Sequence, residues 1–489
     1  MKGLLWLMSG RLASAVLSVI STAVLARLLT PSDFGIVAAV LVVLALANVL
    51  FDGAFGVNLV RKAELRDEDV RTTLTISLGL GLVLMGLVCL SAPAAERFFG
   101  FPSLAVTLQV SSLAIPFKSV FAIASALLQR SGRFKAMATA SLVGQFIGYI
   151  LLAIPLSLGG AGVWSLIVAM LAAGLTEAVV TGALVRLPLR PAWDAETARD
   201  VRLTSLFSIA SIMNWAADTG ANAVIGRVMG AADLGLYSRG WKLLDLVVAA
   251  TATPLSRVLL PAFAHRNGQP ERLRSAFLGT LGVVLPGYAV ASVLLSLQAP
   301  LIVELALGKQ WGDTVPVVQI LFATLVPRCA FKVSENFAMA IGNAHAAAVR
   351  QGLYAVLMIV GSVVGVRYGI IGVSIAVSVA ITIFYFTSMS YALSICKIGG
   401  LAVVGLHVRA GLLAAFVAIV DLAVLWACGS MPMLLRHLVA GTAGSVVGLV
   451  LVLMAPRFCL GRETAVQVKL ASQRILARVP LGQFIIARF

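Results

Sequence analysis

A chain of 489 residues that is 60% hydrophobic and only 12% charged, with a mean hydropathy of +1.02, lies far outside what a water-soluble globular protein tolerates. Lipid is the solvent for most of it. The formal charge of +17 does not point to nucleic acid, because the cations are spread over short loops and a basic tail, where anionic membrane lipids meet them.

A spanning helix needs about 20 apolar residues, and about fourteen stretches qualify. They lie near residues 4–28, 34–60, 72–95, 104–129, 137–157, 161–186, 204–228, 236–264, 273–297, 313–342, 346–366, 369–396, 404–427 and 434–457. The runs are long and lack period-two alternation, so they read as helices and not as barrel strands. The expected class is an all-α integral membrane protein. Arg11, inside the first run, argues against a cleaved signal peptide.

Along the chain the second half repeats the first. Arg27 precedes Asp33-Phe34-Gly35 by six residues, and Arg227 precedes Asp233-Leu234-Gly235 by six, 200 positions later. Pro116-Phe117-Lys118 is answered by Pro327-Arg328, and Gly159-Gly160-Ala161-Gly162-Val163 by Gly369-Ile370-Ile371-Gly372-Val373, at an offset of about 210. A repeat in a membrane chain points to two similar lobes that rock about a midplane site.

Loops after even-numbered spans carry most of the basic residues, among them Arg61, Lys62, Arg66, Arg71, Arg130, Arg133, Arg186, Arg266, Arg272, Arg274, Arg350 and Lys397. Positive loops stay inside, which places both termini in the cytoplasm and gives the two six-helix lobes the same orientation. The lobes are then parallel repeats about a pseudo-twofold axis along the membrane normal. The expected organisation is an N-terminal lobe (1–186), a cytoplasmic linker (187–203), a C-terminal lobe (204–396), two additional transmembrane helices (397–457) and a basic cytoplasmic tail (458–489).

Reactive chemistry is sparse. The cysteines are five and show no CxxC spacing, and the four histidines are scattered without HExxH. No glycine loop for nucleotides, nucleophile elbow or paired carboxylates stands out, and the outer loops are short. A transporter is expected rather than an enzyme, with no metal and no cofactor beyond a coupling ion, H+ or Na+.

Its site must then be built from polar groups within the spans, where an ionisable side chain is costly and faces a bundle interior or a watery cavity. The seventh span has Asn214, Asp218 and Asn222 at i, i+4, i+8, one face of a helix, and the first has Ser14, Ser18 and Thr22 in the same register. Such stripes also serve helix packing. The tenth span carries Arg328, Lys332 and Glu335 or Asn336 on one face, and its repeat mate carries Lys118. Both Lys118 and Arg328 follow a proline, which removes a backbone hydrogen bond and bends a helix. Arg11 and Lys242 are further cations, and Asp52, Glu177, Asp245 and Glu335 are candidate counter-ions or coupling groups. Internal pairs such as Lys332 with Glu335 or Lys242 with Asp245 are the alternative to an anionic substrate, which arginine suits as a planar fork and lysine as a point charge.

The run from Leu25 to Ile36, the end of the second span at Asp52-Gly53-Ala54-Phe55-Gly56 and Leu59-Val60-Arg61-Lys62 resemble bacterial polysaccharide flippases of the Wzx type, in the multidrug/oligosaccharidyl-lipid/polysaccharide exporter superfamily. Gly235-Leu236-Tyr237-Ser238-Arg239-Gly240 and Pro300-Leu301-Ile302 through Trp311 are similar to that family too, and the likeness extends over roughly residues 1–400. It implies alternating-access movement of undecaprenyl-pyrophosphate-linked oligosaccharide to the outer leaflet of the bacterial inner membrane, with polysaccharide polymerase and export machinery as partners. The first lobe offers only Arg11 and Lys118 at mid-span, where the peptidoglycan-precursor flippase has an arginine cluster. The first span has no acid, where multidrug exporters usually have one. A cation-coupled multidrug exporter and a membrane scaffold for glycosyltransferases are the alternatives.

Overall fold

The computed structural model describes residues 2–459 except 63, 189, 206, 207, 267, 342, 343 and 397, and every regular element among them is helical. The basic tail lies outside the described residues from 460 onward. In chain order the first helices are α1 (Lys2–Leu28), α2 (Pro31–Arg61), α3 (Asp67–Phe99), α4 (Leu104–Ser111), α5 (Ala114–Arg130), α6 (Phe134–Gln145), α7 (Ile154–Leu158), α8 (Val163–Val185), α9 (Ala195–Ser205) and α10 (Ser208–Met229). There follow α11 (Ala231–Ala264), α12 (Pro270–Leu297), α13 (Ala299–Ala306), α14 (Val315–Ala323), α15 (Leu325–Ile341), α16 (Ala344–Gly365), α17 (Gly369–Cys396), α18 (Gly400–Ala427), α19 (Met433–Met454) and α20 (Pro456–Cys459). Among the described residues ten helical stretches are long and apolar enough to cross a membrane. One of them, Ala348–Ile395, takes in most of both α16 and α17, and the described parts of α1 and α2, Ala13–Leu28 and Pro31–Leu46, are apolar too, so the ten stretches do not by themselves fix the count at fourteen. The chain is a multi-span membrane protein.

Contacts gather into two compact units, Met1–Arg239 with Leu305–Trp311, and Gly240–Glu304 with Gly312–Phe489. In the first unit the start of α2 is a helix N-terminus built from its sequence. Thr30 is the cap: its backbone N–H and its hydroxyl both donate to Asp33 Oδ2, at 2.9 and 2.7 Å, and the Asp33 N–H lies 3.2 Å from the Thr30 hydroxyl. Pro31 occupies the first helical position, where no N–H is needed. Two residues beyond Asp33, Gly35 meets the start of α11. A Cβ on Gly35 would collide with the carbonyl oxygen of Ala231, and one on Gly235 with that of Pro31 while standing 3.2 Å from the Gly35 nitrogen. Since Pro31 and Gly35 shifted by 200 positions are Ala231 and Gly235, the crossing is reciprocal. Each glycine turns a Cα–H toward the opposite carbonyl, the weak contact that recurs where helices approach closely.

The ends of α1 and α10 are covered in a matching way. Trp311, fully buried, donates from Nε1 to the Ala26 carbonyl at 2.9 Å, Gln310 Nε2 donates to Leu29 O at 3.0 Å and also to Ala26 O, and Arg27 Nη2 donates to Leu305 O at 2.8 Å. The equivalent positions on α10 are Gly226, packed on the ring of Phe99, and Arg227, whose guanidinium lies 5.6 Å from the Phe98 ring centre. The last turn of α3 thus lies against the end of α10, and the last turn of α13 with the residues that follow it closes the end of α1. Phe34 stands between Trp311, edge-on at 5.4 Å, and the Arg239 guanidinium at 4.6 Å.

The predicted linker holds a helix the hydropathy pattern does not show, because α9 is polar. Asp194 caps it, accepting from the Thr197 N–H and hydroxyl at 2.9 and 2.7 Å, which holds its carboxyl below the usual range. Fully buried Asp69 at the start of α3 gathers Lys62 Nζ at 2.8 Å, the Arg66 N–H at 2.8 Å and the Thr197 hydroxyl at 2.8 Å, so it clasps the linker to the loop before α3. Arg130 on α5 donates to Leu59 O at 3.0 Å and to Lys62 O, a cation at the C-terminal end of α2.

In the second unit Phe263, Phe277 and Phe337 pack ring to ring from α11, α12 and α15, with centres 4.9 to 6.5 Å apart. The two additional helices are tied to α12 by a buried polar chain. Gln298 Nε2 donates to both oxygens of fully buried Asp421 at 3.1 Å, and Gln298 Oε1 faces His437 Nδ1 at 2.7 Å. A neutral imidazole with its proton on Nδ1 satisfies this chain and leaves Nε2 to accept from Arg436, 3.5 Å away. Every polar group in it needs its neighbour, since an unpaired polar group in hydrocarbon is expensive.

The crossing makes a direct prediction. Gly35→Val and Gly235→Val should each lower the thermal midpoint of the detergent-solubilised protein by the equivalent of ~1–3 kcal/mol or more, the cost of overpacking. Gly79→Ala in α3, where a Cβ meets nothing within 4 Å, should be neutral or stabilising by up to about 1 kcal/mol. Equal midpoints for all three in a fluorescence size-exclusion melt would remove the crossing from the account.

Candidate functional site

Two broken helices position the cations that the sequence singles out. The fourth predicted span is not one helix but two, α4 ending at Ser111 and α5 beginning at Ala114. The tenth is likewise split, α14 ending at Ala323 and α15 beginning at Leu325. Pro116 and Pro327 are each the third residue of the restarted helix, within the first turn, where a missing N–H breaks no bond. The chain at the breaks is held by Ser112, whose hydroxyl donates to Gln109 O at 2.6 Å, and by Thr324, whose hydroxyl donates to Leu321 O at 2.6 Å. Lys118 and Arg328 follow on the first turns of α5 and α15.

In the first unit Lys118 is half-buried and within electrostatic reach of Glu177 on α8, which also accepts from the Ser141 hydroxyl at 2.7 Å. Beside them, Phe117, Val120, Leu175, Val179 and Gly182 line an apolar groove of about 380 Å3 between α5 and α8, with Arg186 at its end. On α10, Asn214 and Asp218 are exposed and Asn222 is half-buried, while Ala217, Ala221 and Ile225 on an adjacent face are buried. The α10 stripe therefore lies beside the packed face and not within it. Trp215 on α10 donates from Nε1 to Val42 O at 3.1 Å, which ties α10 to α2. Arg11 and Asp52 lie on α1 and α2, and their side chains are outside the described residues.

The second unit brings several candidates together. Arg328, with 11% of its side chain exposed, donates from Nη1 to the Tyr354 hydroxyl at 3.3 Å, has Nη2 3.9 Å from Asp245 Oδ1, and lies 5.3 Å from the Trp241 ring centre. Lys332 sits one turn on, its ammonium 5.2 Å from the Phe331 ring, and the Asn336 side chain donates to its carbonyl at 2.6 Å. Glu335 accepts from Arg350 Nε at 3.2 Å and from the Ser388 hydroxyl at 2.9 Å. Lys242 is exposed on α11. Lys118 and Arg328, which have no acid on their own helix turn, thus meet Glu177 and Asp245 from neighbouring helices.

Arg350 corrects the sequence reading, which counts it among the cytoplasmic loop charges. It is inside α16, 8% exposed, and its guanidinium lies 4.0 Å from the Tyr391 ring centre. Tyr354 follows it by four residues on the same face, and that i, i+4 pairing of a cation with a tyrosine is the signal that marks the position. Tyr391 and Ser388 on α17 carry no such signal. Among the described residues no group of three or more His, Cys, Asp or Glu is placed to hold a metal ion.

Two kinds of comparison bear on this arrangement. Among solved structures, the lipid II flippase MurJ in an inward closed conformation has a TM-score of 0.72 at 16% identity, covering 91% of this chain and 97% of that one. An inward-facing multidrug resistance MATE family transporter of the MOP superfamily has a TM-score of 0.65 at 16% identity, covering 78% and 94%. At such identities the likeness is one of fold. In sequence, the chain is 26% identical over 317 residues to the lipopolysaccharide biosynthesis protein WzxC of Escherichia coli, covering 62% of each chain. It is also 26% identical over 321 residues to the succinoglycan biosynthesis transport protein ExoT of Rhizobium meliloti, covering 65% of this chain and 64% of that one. The matched region thus spans less than two thirds of either relative. Residues 24–316, more than half of the chain, match the family described as polysaccharide biosynthesis protein, and the chain belongs to that family.

Proposed function

We propose that the chain is an alternating-access flippase that carries undecaprenyl-pyrophosphate-linked oligosaccharide from the cytoplasmic to the outer leaflet of the bacterial inner membrane, for exopolysaccharide, capsule or O-antigen assembly. The observation that carries the proposal is the family match over residues 24–316, whose relatives include one named as a transport protein. The chemistry of the spans supports it: cations held at membrane depth on restarted helices suit a pyrophosphate, and polar side chains on α10 suit sugar hydroxyls. In this reading Lys118, Arg328, Arg11, Lys242 and Lys332 serve the pyrophosphate, Asn214, Asp218 and Asn222 the glycan, and Asp52, Glu177, Asp245 and Glu335 neutralise the cations when no cargo is bound. The two lobes (1–186 and 204–396) move as parallel repeats with both termini in the cytoplasm, no covalent step is involved, and H+, Na+ or the membrane potential drives the movement. Polysaccharide polymerase and export machinery take the product.

A cation-coupled multidrug exporter is the second reading, favoured by the fold shared with the inward-facing MATE family transporter. A cationic drug meets repulsion from Arg328, Lys332 and Lys118, whereas a pyrophosphate is attracted. Deletion of the gene separates the two, since the first reading predicts lost polysaccharide and the second lost drug resistance.

Within the proposed site, Asp218→Ala should impair export while leaving the protein's abundance in the membrane unaltered. A collapse of abundance would assign Asp218 to packing. Lys118→Gln and Arg328→Gln should each reduce export about tenfold or more, since a hydrogen bond to a charged group contributes ~1.5–3 kcal/mol. Arg328→Lys, which keeps the charge and loses the fork, should cost less. Normal export by both glutamine variants, measured against immunoblotted protein, would place the pyrophosphate elsewhere.

A further inference from the structure

The side chain of Arg350 is held at Nε and along one flat face, and its terminal edge is unpartnered. Its Nε is engaged by Glu335, which the Ser388 hydroxyl fixes from the other helix, and its flat face lies over Tyr391. Both terminal nitrogens, Nη1 and Nη2, are enclosed and make no hydrogen bond, and the same is true of the Tyr391 hydroxyl. Elsewhere among the described residues the enclosed, unpartnered arginine nitrogens at Arg71, Arg239, Arg328 and Arg436 are single Nε atoms. Arg350 is different in kind: it offers the two-pronged edge of the guanidinium, which matches two oxygens of a phosphate, and the phenol beside it adds a third donor.

Charge and register agree with an anion at this edge. Arg328, Lys332 and Arg350 stand against Asp245 and Glu335, three cations to two acids on neighbouring turns. Arg328 pairs with Tyr354 and Glu335 with Arg350, so α15 and α16 run past each other and set Arg350 one turn along α16 from the Arg328 contact. Burying a guanidinium and leaving its best donors unpaired is costly unless a partner is gained in some state.

We propose that Nη1 and Nη2 of Arg350, with the Tyr391 hydroxyl, form a phosphate-binding station that takes a phosphate ester of a lipid, separate from Arg328. This rests on the flippase reading only for the identity of the cargo. Because the edge is enclosed, loading accompanies the helix movement that alternating access requires. Glu335 and Ser388 are positioning residues, since Glu335 holds the guanidinium, Ser388 holds Glu335, and neither touches the anion.

The test is calorimetric titration of the purified full-length protein with farnesyl pyrophosphate, with vesicles of dioleoylphosphatidylglycerol and with farnesol. Arg350→Lys keeps the charge for Glu335, and Tyr391→Phe keeps the ring beneath the cation, so both variants retain the packing that a glutamine would disturb. The station predicts that Arg350→Lys weakens one of the two phosphate-bearing ligands about tenfold, as loss of a bidentate charge-assisted contact does, and that Tyr391→Phe weakens the same ligand less. Farnesol, which lacks phosphate, should respond to neither variant. Loss confined to farnesyl pyrophosphate identifies cargo, and loss confined to phosphatidylglycerol identifies a membrane lipid. Unchanged affinity for both in Arg350→Lys overturns the station and leaves the flippase reading standing if the parent protein binds farnesyl pyrophosphate. Absence of binding by the parent protein overturns both.

Discussion

Two backbones that approach closely enough to exclude any side chain set the terms for the first compact unit. At the crossing of α2 with α11, Gly35 faces the Ala231 carbonyl and Gly235 faces that of Pro31. Hydrocarbon gives no hydrophobic drive for helices to associate, so close packing and short polar contacts must hold them. A pair of glycines one repeat apart meets that need. The neighbouring residues follow from the approach: Thr30 and Asp33 cap the helix that must begin there, and Phe34, the next residue, fills the space between Trp311 and Arg239. The end of α1 is sealed by Trp311 and Gln310, and the equivalent end of α10 by Phe98 and Phe99.

This explains why the most recognisable residues in the chain are not those of the proposed site. Asp33-Phe34-Gly35, Gly235 through Arg239 and Trp311 carry the likeness to polysaccharide flippases, and all of them converge on the crossing and its seals. They were legible because capping, ring packing and glycine contact each demand one particular residue type. The broken helices were legible only as bends: Pro116 and Pro327 mark where a helix is weakened, but Pro93 in α3 and Pro286 in α12 lie inside helices that run through, so a proline alone does not announce a break. A cation held in a span has no such signature, because Lys, Arg and their partners are interchangeable within wide limits of reach.

What the sequence hid depended on the neighbour supplied by another helix. Glu177 comes to Lys118 from α8 and Asp245 to Arg328 from α11, and spacing along one helix does not reveal either. Arg350 reads as a loop charge until α15 and α17 are placed around it. The linker helix α9 escapes because its polar residues dock through Asp69 and Thr197 and not through an apolar stripe. The chain from Asp421 through Gln298 to His437 joins three helices whose sequences are almost uniformly apolar at those points.

Movement of a charged headgroup across hydrocarbon is the central claim, and it is measured most directly with purified protein in sealed vesicles containing a short polyprenyl-pyrophosphate disaccharide. A membrane-impermeant glycosidase added outside reports which headgroups can be reached. The account predicts that vesicles containing the protein expose the lumen-facing headgroups to cleavage over time, while protein-free vesicles keep them protected. Equal protection with and without the protein, across imposed proton and sodium gradients, would contradict it.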